Sequence, residues 1–415
     1  MNLQGLVQAP RLWVTDPRAD RRVTWMELFF DLIFVAAVAE VGSPLRADYS
    51  WPGLLRYSLL FVLIWWAWSG HTLYSTRFDH DDLVQRGLIL LQCFIAAVMA
   101  ANAKEALDSR SSAGFGAAYA GMRIMLVLQY VRARRVPETR PLTTRYAIGF
   151  GTAALLWILS ALLEVPGRYW VWALALAVDF LTPWLAVKHS MKFPPDATHF
   201  PERFGLFTII LLGEFVAAVM RGIESQEYWS FSAAATAFSS MAFAFVLRWW
   251  YFDVGQSASE RHVRSKRHAI LFQVWHYAHL PLFLGIGVAG VGFERMISLQ
   301  SGGRLTGGES WVLCSAVAVL MAALISIGAT SESSQKRRNR TRYLWAQYGL
   351  IGTAGLIGFT AVGIPRVILV AGLLAACTAQ TLLGRSAILA PKLVSRKASY
   401  RVPILAQPLN SIESP

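Results

Sequence analysis

Apolar runs of about twenty residues, each closed by a short polar segment, repeat along the chain from Trp25 to Leu383. Wound as an α-helix, such a run matches the hydrocarbon thickness of a bilayer. Twelve spans are predicted, at 25–43, 52–74, 83–101, 114–131, 146–164, 168–187, 204–222, 229–252, 268–290, 310–327, 343–361 and 364–383. The expected fold is all-α, a polytopic integral membrane protein of about twelve transmembrane helices. Residues 1–24 read as a cytoplasmic N-terminal segment rather than a removed signal peptide, because no short apolar region with a small-residue cleavage site precedes Trp25. Residues 384–415 read as a basic cytoplasmic tail, expected to be disordered, with Pro391, Pro403, Pro408 and Pro415 among Ser and Lys.

The polar signals within the spans repeat as well. TRYAIGFGTAALL from Thr144 resembles TRYLWAQYGLIGT from Thr341, and each leads to a Pro turn with an arginine, Arg168 or Arg366. Trp65-Trp66 answers Trp249-Trp250, Gln92 answers Gln273, and Glu27 and Glu202 each open an E-x-F helix. Matches in one order suggest a six-plus-six parallel duplication, with halves at 25–190 and 200–383, a layout found in transporters.

Composition agrees with a membrane protein: 55% of the 415 residues are hydrophobic and 15% charged, where a soluble domain carries about a quarter charged. A net charge of +14 would suit nucleic acid if it lay on a soluble domain. Instead it lies in alternate short loops, such as Arg132, Arg134 and Arg135, or Lys336, Arg337 and Arg338, while the other side holds few basic residues, among them Arg46, Arg168, Arg221, Arg295 and Arg366. This asymmetry places both termini in the cytoplasm, makes the lipid bilayer the expected partner and gives no sign of nucleic-acid binding. Cys93, Cys314 and Cys377 are isolated within apolar runs, and no P-loop, GxGxxG turn or GxSxG elbow is present, so neither ATP-driven transport nor a cofactor is expected. Trp51, Trp170, Trp229 and Trp311, near span ends, read as interfacial anchors, and the GIGVAGVG run from Gly285 as a close helix contact or a hinge.

Ionisable residues inside spans are the candidate chemistry. A carboxylate at the bilayer centre costs roughly 3 kcal/mol on insertion scales, so it normally faces a protein interior or a water cavity. Glu27 and Asp31, four apart, share a helix face. They could form a proton or cation site, or an inter-helix salt bridge to Arg203 or Arg248. Glu214 lies close to the expected midplane, follows Gly213, which would admit a neighbouring backbone, and has no adjacent basic residue in sequence. His276 and His279 share a face and suit a proton relay, a metal with two further ligands from Glu214, Asp179 or Asp31, or plain hydrogen-bonded packing. Arg123 and Asp179, at similar depth, could pair structurally or act as a gate or an anion clamp. Candidate proton-handling residues are therefore Glu214, Asp31, Glu27, His276 and His279, and candidate substrate-binding residues are Arg123, Asp179, Glu214 and His279.

At TWMELFFDLIFVAAVAEV from Thr24, ERFGLFTIILLGEFVAAV from Glu202 and HYAHLPLFLGIGVAGVGFE from His276, the chain resembles the bacterial low-temperature-requirement protein A (LtrA) family. The resemblance runs over nearly the whole chain. It implies a multi-pass protein of the bacterial inner (cell) membrane with a link to growth in the cold, and it maps family motifs onto Glu27, Phe29, Phe30 and Asp31, onto Glu202, Arg203, Phe204, Gly205, Gly213 and Glu214, and onto His279, Leu280, Pro281 and Glu294. Phe215 departs from the small hydroxyl residue the family often carries after Gly-Glu, which would alter a pocket built there. The expected function is a proton-coupled secondary transporter of a small molecule or ion. The competing expectations are a membrane-embedded enzyme acting on a lipid or hydrophobic metabolite, with Glu214 or Asp31 as acid or base and His279 as partner, and a non-catalytic membrane sensor or envelope protein.

Overall fold

The computed structural model describes residues 10–13, 23–79, 82–107, 111–228, 230–254, 261–263, 265–299, 303–331, 346, 348–353, 355 and 364–399. Its helices are α1 (Trp25–Ala47), α2 (Trp51–Ser75), α3 (Leu83–Ala101), α4 (Ser112–Ala133), α5 (Arg140–Ser160), α6 (Gly167–Leu185), the single turn α7 (Val187–Ser190), α8 (His199–Glu224), α9 (Phe231–Trp249), α10 (Lys266–Ser298), α11 (Gly307–Ala329) and α12 (Arg366–Ser399). Arg11–Leu12 pairs antiparallel with Phe78–Asp79, just past the end of α2. Eight helical stretches are long and apolar enough to cross a membrane. Helices α2, α4 and α6 fall outside that set, and much of their polar character is turned into the bundle: every residue of α2 from Leu63 to Thr72 is buried. The expected eleventh span, 343–361, lies mostly outside the described residues, as does Trp229.

Several boundaries differ from those expected. Helix α10 continues to Ser298 rather than ending at Gly290, because Glu294 and Arg295 find partners in Arg221 and Glu309. Its 33 residues extend about 50 Å, well beyond a hydrocarbon core about 30 Å thick. Helix α8 begins at His199, five residues before the apolar run, where Asp196 Oδ1 accepts the backbone N–H groups of Thr198 and His199 and the Thr198 hydroxyl at 2.7–2.9 Å. Burial works to raise the Asp196 pKa, but these hydrogen bonds outweigh it and hold the carboxyl below its ordinary value. Helix α12 runs to Ser399, past the expected end of the last span at Leu383.

Packing follows a repeated order of neighbours. Helix α1 packs on α2 and α3, and α3 on α4; α8 packs on α9 and α10, and α10 on α11. The two sets meet where α1 lies against α8 and α10. The glycine run of α10 serves that packing. A Cβ on Gly285 would stand 2.8 Å from Leu320 Cβ on α11, and one on Gly292 would stand 2.3 Å from the Tyr49 hydroxyl, which donates to the Val288 carbonyl at 3.1 Å.

Candidate functional site

Two charged groups occupy opposite ends of the α1–α8 contact. The first begins with the start of α1. Thr24 and Glu27 form a capping box: Thr24 Oγ1 accepts the Glu27 N–H at 3.2 Å, and Glu27 Oε2 accepts the Thr24 N–H at 3.0 Å. The other oxygen of Glu27 is left to face α8, where it lies 3.0 Å from His199 Nε2 and 3.2 Å from Arg203 Nη1. One turn on, Asp31 is held by Arg203 in a two-pronged pair, at 2.9 Å from Nε and 2.5 Å from Nη2, and accepts the Trp68 indole N–H at 2.7 Å. Asp31, His199 and Arg203 are fully buried and Glu27 almost so. This is the salt-bridge alternative for Glu27 and Asp31, with Arg203 as the partner. Arg248 instead bonds Asp253 at 2.8 Å, beside the π-helical turn that ends α9.

The second group lies toward the far ends of α1, α8 and α10. Glu214 is 15 residues into α8, roughly 22 Å from its start. It accepts from Arg221, two turns along the same face, at 2.9 Å, and Arg221 also bonds Glu294 of α10 at 3.2 Å. No basic residue flanks Glu214 in sequence, and its partner comes instead from two turns along the helix. The role expected of Gly213 is corrected: a Cβ there meets nothing within 4 Å, because Gly213 sits on the exposed face of α8. Glu214 and Arg221 line a narrow cleft of about 20 Å³ together with Arg46 of α1, Tyr57 of α2 and the apolar side chains of Val38, Leu211, Phe215 and Ile286. Phe215, the residue that departs from the family pattern, helps form the wall and stacks 6.2 Å from Phe243. A neighbouring cleft of about 190 Å³ is bordered by Arg46, Glu294 and Arg295, so Arg46 stands between the two.

Glycine gives the cleft its shape. A Cβ on Gly287 would lie 2.1 Å from the Tyr57 hydroxyl and 3.2 Å from its Cζ. Gly287→Ala is therefore expected to destabilise the protein by about 1–3 kcal/mol through overpacking, and Tyr57→Phe in the same chain should recover most of that loss. Thermal unfolding of the two variants in detergent checks it; no recovery would mean that the alanine meets something other than the hydroxyl.

The histidines do not join either group. His276 Nε2 is 2.7 Å from the Ser69 hydroxyl. His279 Nδ1 donates to the Trp275 carbonyl at 2.7 Å, leaving Nε2 to accept from the Tyr251 hydroxyl at 2.9 Å, the tautomer that satisfies both contacts. Both rings are buried among aromatic side chains, with Phe204 within 5.6 Å of each. Glu214, Asp31 and the two imidazoles are therefore not brought together, since their helices turn them toward different neighbours. Among the described residues no group of three or more His, Cys, Asp or Glu is placed to hold a metal ion. Arg123 and Asp179 pair at 2.9 Å between α4 and α6, and the Tyr119 hydroxyl donates to Asp179 at 3.2 Å. Both are buried, and neither lines either cleft.

Three quoted sequence stretches thus meet in space. The first and second join through Asp31 and Arg203, and the second and third through Glu214, Arg221 and Glu294, with His279 packed on Phe204. Residues 22–384 match the family model for bacterial low temperature requirement A protein (LtrA). The chain is also similar to the "Uncharacterized protein RA0937" of Rhizobium meliloti (strain 1021), at 28% identity over 294 residues, covering 68% of this chain and 71% of the relative.

Proposed function

The chain belongs to the bacterial LtrA family and is a multi-pass membrane protein, and from that premise we propose that it is a secondary transporter that moves a small solute through the cleft between its two halves. One observation carries this reading. Where α1 meets α8, one end is closed by a buried ion pair, and the other opens a cleft lined by a carboxylate and two arginines. A closed end opposite an open one is the geometry of one state of alternating access. Asp31 and Arg203, on the first helix of each half, form the closed end; Glu214 is the proton carrier of the open one. The repeated order of neighbours supports a six-plus-six duplication and twelve spans. The sequence's basic asymmetry supports both termini in the cytoplasm and placement in the inner membrane.

The enzyme reading has less beneath it. Asp31 is saturated by Arg203 and Trp68, and His279 by Trp275 and Tyr251, so the expected acid and base do not face one shared space. In proteoliposomes loaded with a pH-sensitive dye, a solute gradient is expected to drive proton movement in the wild type, and Glu214→Gln should reduce it at least about tenfold. Unchanged flux in a folded Glu214→Gln protein would remove Glu214 from the mechanism. Chemical conversion of a lipid or solute without its relocation would replace transport by catalysis.

A further inference from the structure

The last turns of α10 put Val291, Glu294, Arg295, Ser298 and Leu299 on one face, spaced three and four apart, and Arg46 near the end of α1 completes the lining of the cleft of about 190 Å³ that they border. Polar capacity is left over on both helices. Glu294 gives Oε2 to Arg221 and, among the described residues, makes no hydrogen bond through Oε1. The Ser298 hydroxyl donates to the Glu294 carbonyl at 2.9 Å and accepts from Ser225 at 2.8 Å, which leaves it one lone pair. Arg295 bonds Glu309 through Nε, so its two Nη groups remain to donate. Arg46, whose Nη1 lies along Gly42, makes no hydrogen bond or ion pair among the described residues. Arg46 and Glu294 therefore border one space without pairing across it.

Charge is polarised in this cleft. Arg221 is shared by Glu214 and Glu294, a surplus carboxylate on the α8–α10 side, while Arg46 is a surplus cation on the α1 side and Arg295 is matched by Glu309. The two surpluses balance, so an anion or a cation alone would leave one of them unmet, and a molecule carrying both charges meets both. We propose that this cleft binds a small zwitterion, a primary ammonium and an oxyanion in one compact molecule such as an α-amino acid. The ammonium is accepted by Glu294 Oε1 and the Ser298 hydroxyl, and the oxyanion is held by the Arg46 and Arg295 guanidinium groups, whose forks suit a carboxylate. Volume sets the size: an apolar cavity of about 150 Å³ holds benzene, so this one admits roughly six to eight non-hydrogen atoms. Val291 and Leu299 offer apolar contact to a short side chain. A free amino acid and the ethanolamine phosphate headgroup of a lipid share this chemistry. The inference concerns binding, goes beyond the transporter reading and does not rest on it.

The test is a saturation-transfer NMR titration of the purified full chain in detergent, with L-alanine as probe. Isobutyrate replaces its ammonium by a methyl group, isopropylamine replaces its carboxylate, trimethylglycine is a zwitterion with no N–H to give, and phosphoethanolamine is the lipid headgroup. Saturable L-alanine binding is expected, with isobutyrate, isopropylamine and trimethylglycine each at least about tenfold weaker. Arg46→Gln should weaken L-alanine at least about tenfold and leave isopropylamine as in wild type, and Glu294→Gln should weaken L-alanine similarly and leave isobutyrate as in wild type. That crossed pattern does not arise from a general loss of structure. Phosphoethanolamine bound more tightly than L-alanine, with the L-alanine signal lost in nanodiscs of phosphatidylethanolamine and kept in those of phosphatidylcholine, would assign the zwitterion to a lipid headgroup. Isobutyrate or isopropylamine equal to L-alanine, no saturable binding of L-alanine or phosphoethanolamine by the folded protein, or L-alanine affinity unchanged in both folded variants would overturn the proposal. L-alanine bound without flux in proteoliposomes would keep the site and count against transport alone.

Discussion

Asp31→Ala is expected to destabilise the protein by about 3–5 kcal/mol, because it removes one partner of a buried ion pair and leaves the other charge without it. Asp31 and Arg203 are both fully buried, with two contacts between them. A guanidinium stranded there cannot recover its hydration, and Glu27, which remains 3.2 Å from Nη1 and also bonds His199 and caps α1, compensates in part. The Trp68 indole N–H loses its acceptor in the same step. Adding Arg203→Met removes the stranded charge and should return about half or more of the loss. Thermal unfolding of wild type, single and double variants in one detergent measures both quantities, and a single-variant loss below about 1 kcal/mol would mean that water reaches the pair. If this pair closes one end of the transport path, Asp31→Ala should also leak: dye-loaded proteoliposomes should lose their proton gradient faster with no solute present. A destabilised protein that remains tight would make the pair a structural clamp between α1 and α8 with no gating part.

How much of this was legible depended on the distance over which each signal acts. Hydropathy placed the helices, since burying apolar surface in lipid is a property of each segment alone. It misjudged ends wherever a polar partner from another helix extended the turn, as Arg221 and Glu309 do for Glu294 and Arg295 of α10. Asp31 stood out as a carboxylate in an apolar run, and the choice of partner narrowed to Arg203 or Arg248, but nothing in the sequence could decide between residues 172 and 217 positions away. Two signals were present and unread. Thr24-Trp-Met-Glu27 is a capping box at the start of α1, which fixes one oxygen of Glu27 and turns the other toward α8. Arg221 is seven residues from Glu214, the spacing that returns a helix to one face after two turns, so the absence of an adjacent basic residue was the wrong question. Arg46 was visible as one of few basic residues on its side, yet its place beside Tyr57 and Glu214 exists only once α1, α2, α8 and α10 are assembled. The histidines misled for the converse reason: depth along a helix is readable from residue number, but direction within a bundle depends on which neighbours it meets.

Arg123 and Asp179 offer the sharpest separation between structure and function, because sequence reading set them among the substrate-binding residues and the fold seals them away from both clefts. Asp179→Ala is expected to cost about 3–5 kcal/mol, for among the described residues it leaves buried Arg123 with the Tyr119 hydroxyl as its remaining hydrogen-bond partner. Among the described residues Asp179 Oδ1 already lacks a partner, as does the Trp157 indole nitrogen nearby, so the pair is imperfectly satisfied and an apolar replacement has little to lose. The double change Arg123→Met with Asp179→Leu should therefore be within about 1 kcal/mol of wild type, or more stable, since well-packed apolar side chains often match a buried ion pair. Unfolding midpoints of the two single variants and the double variant give the stability cycle. Proteoliposome flux, measured on the double variant alone, then decides the role: flux equal to wild type makes the pair a fastener between α4 and α6, whereas a stable double variant that has lost flux would place a second polar site inside the first half.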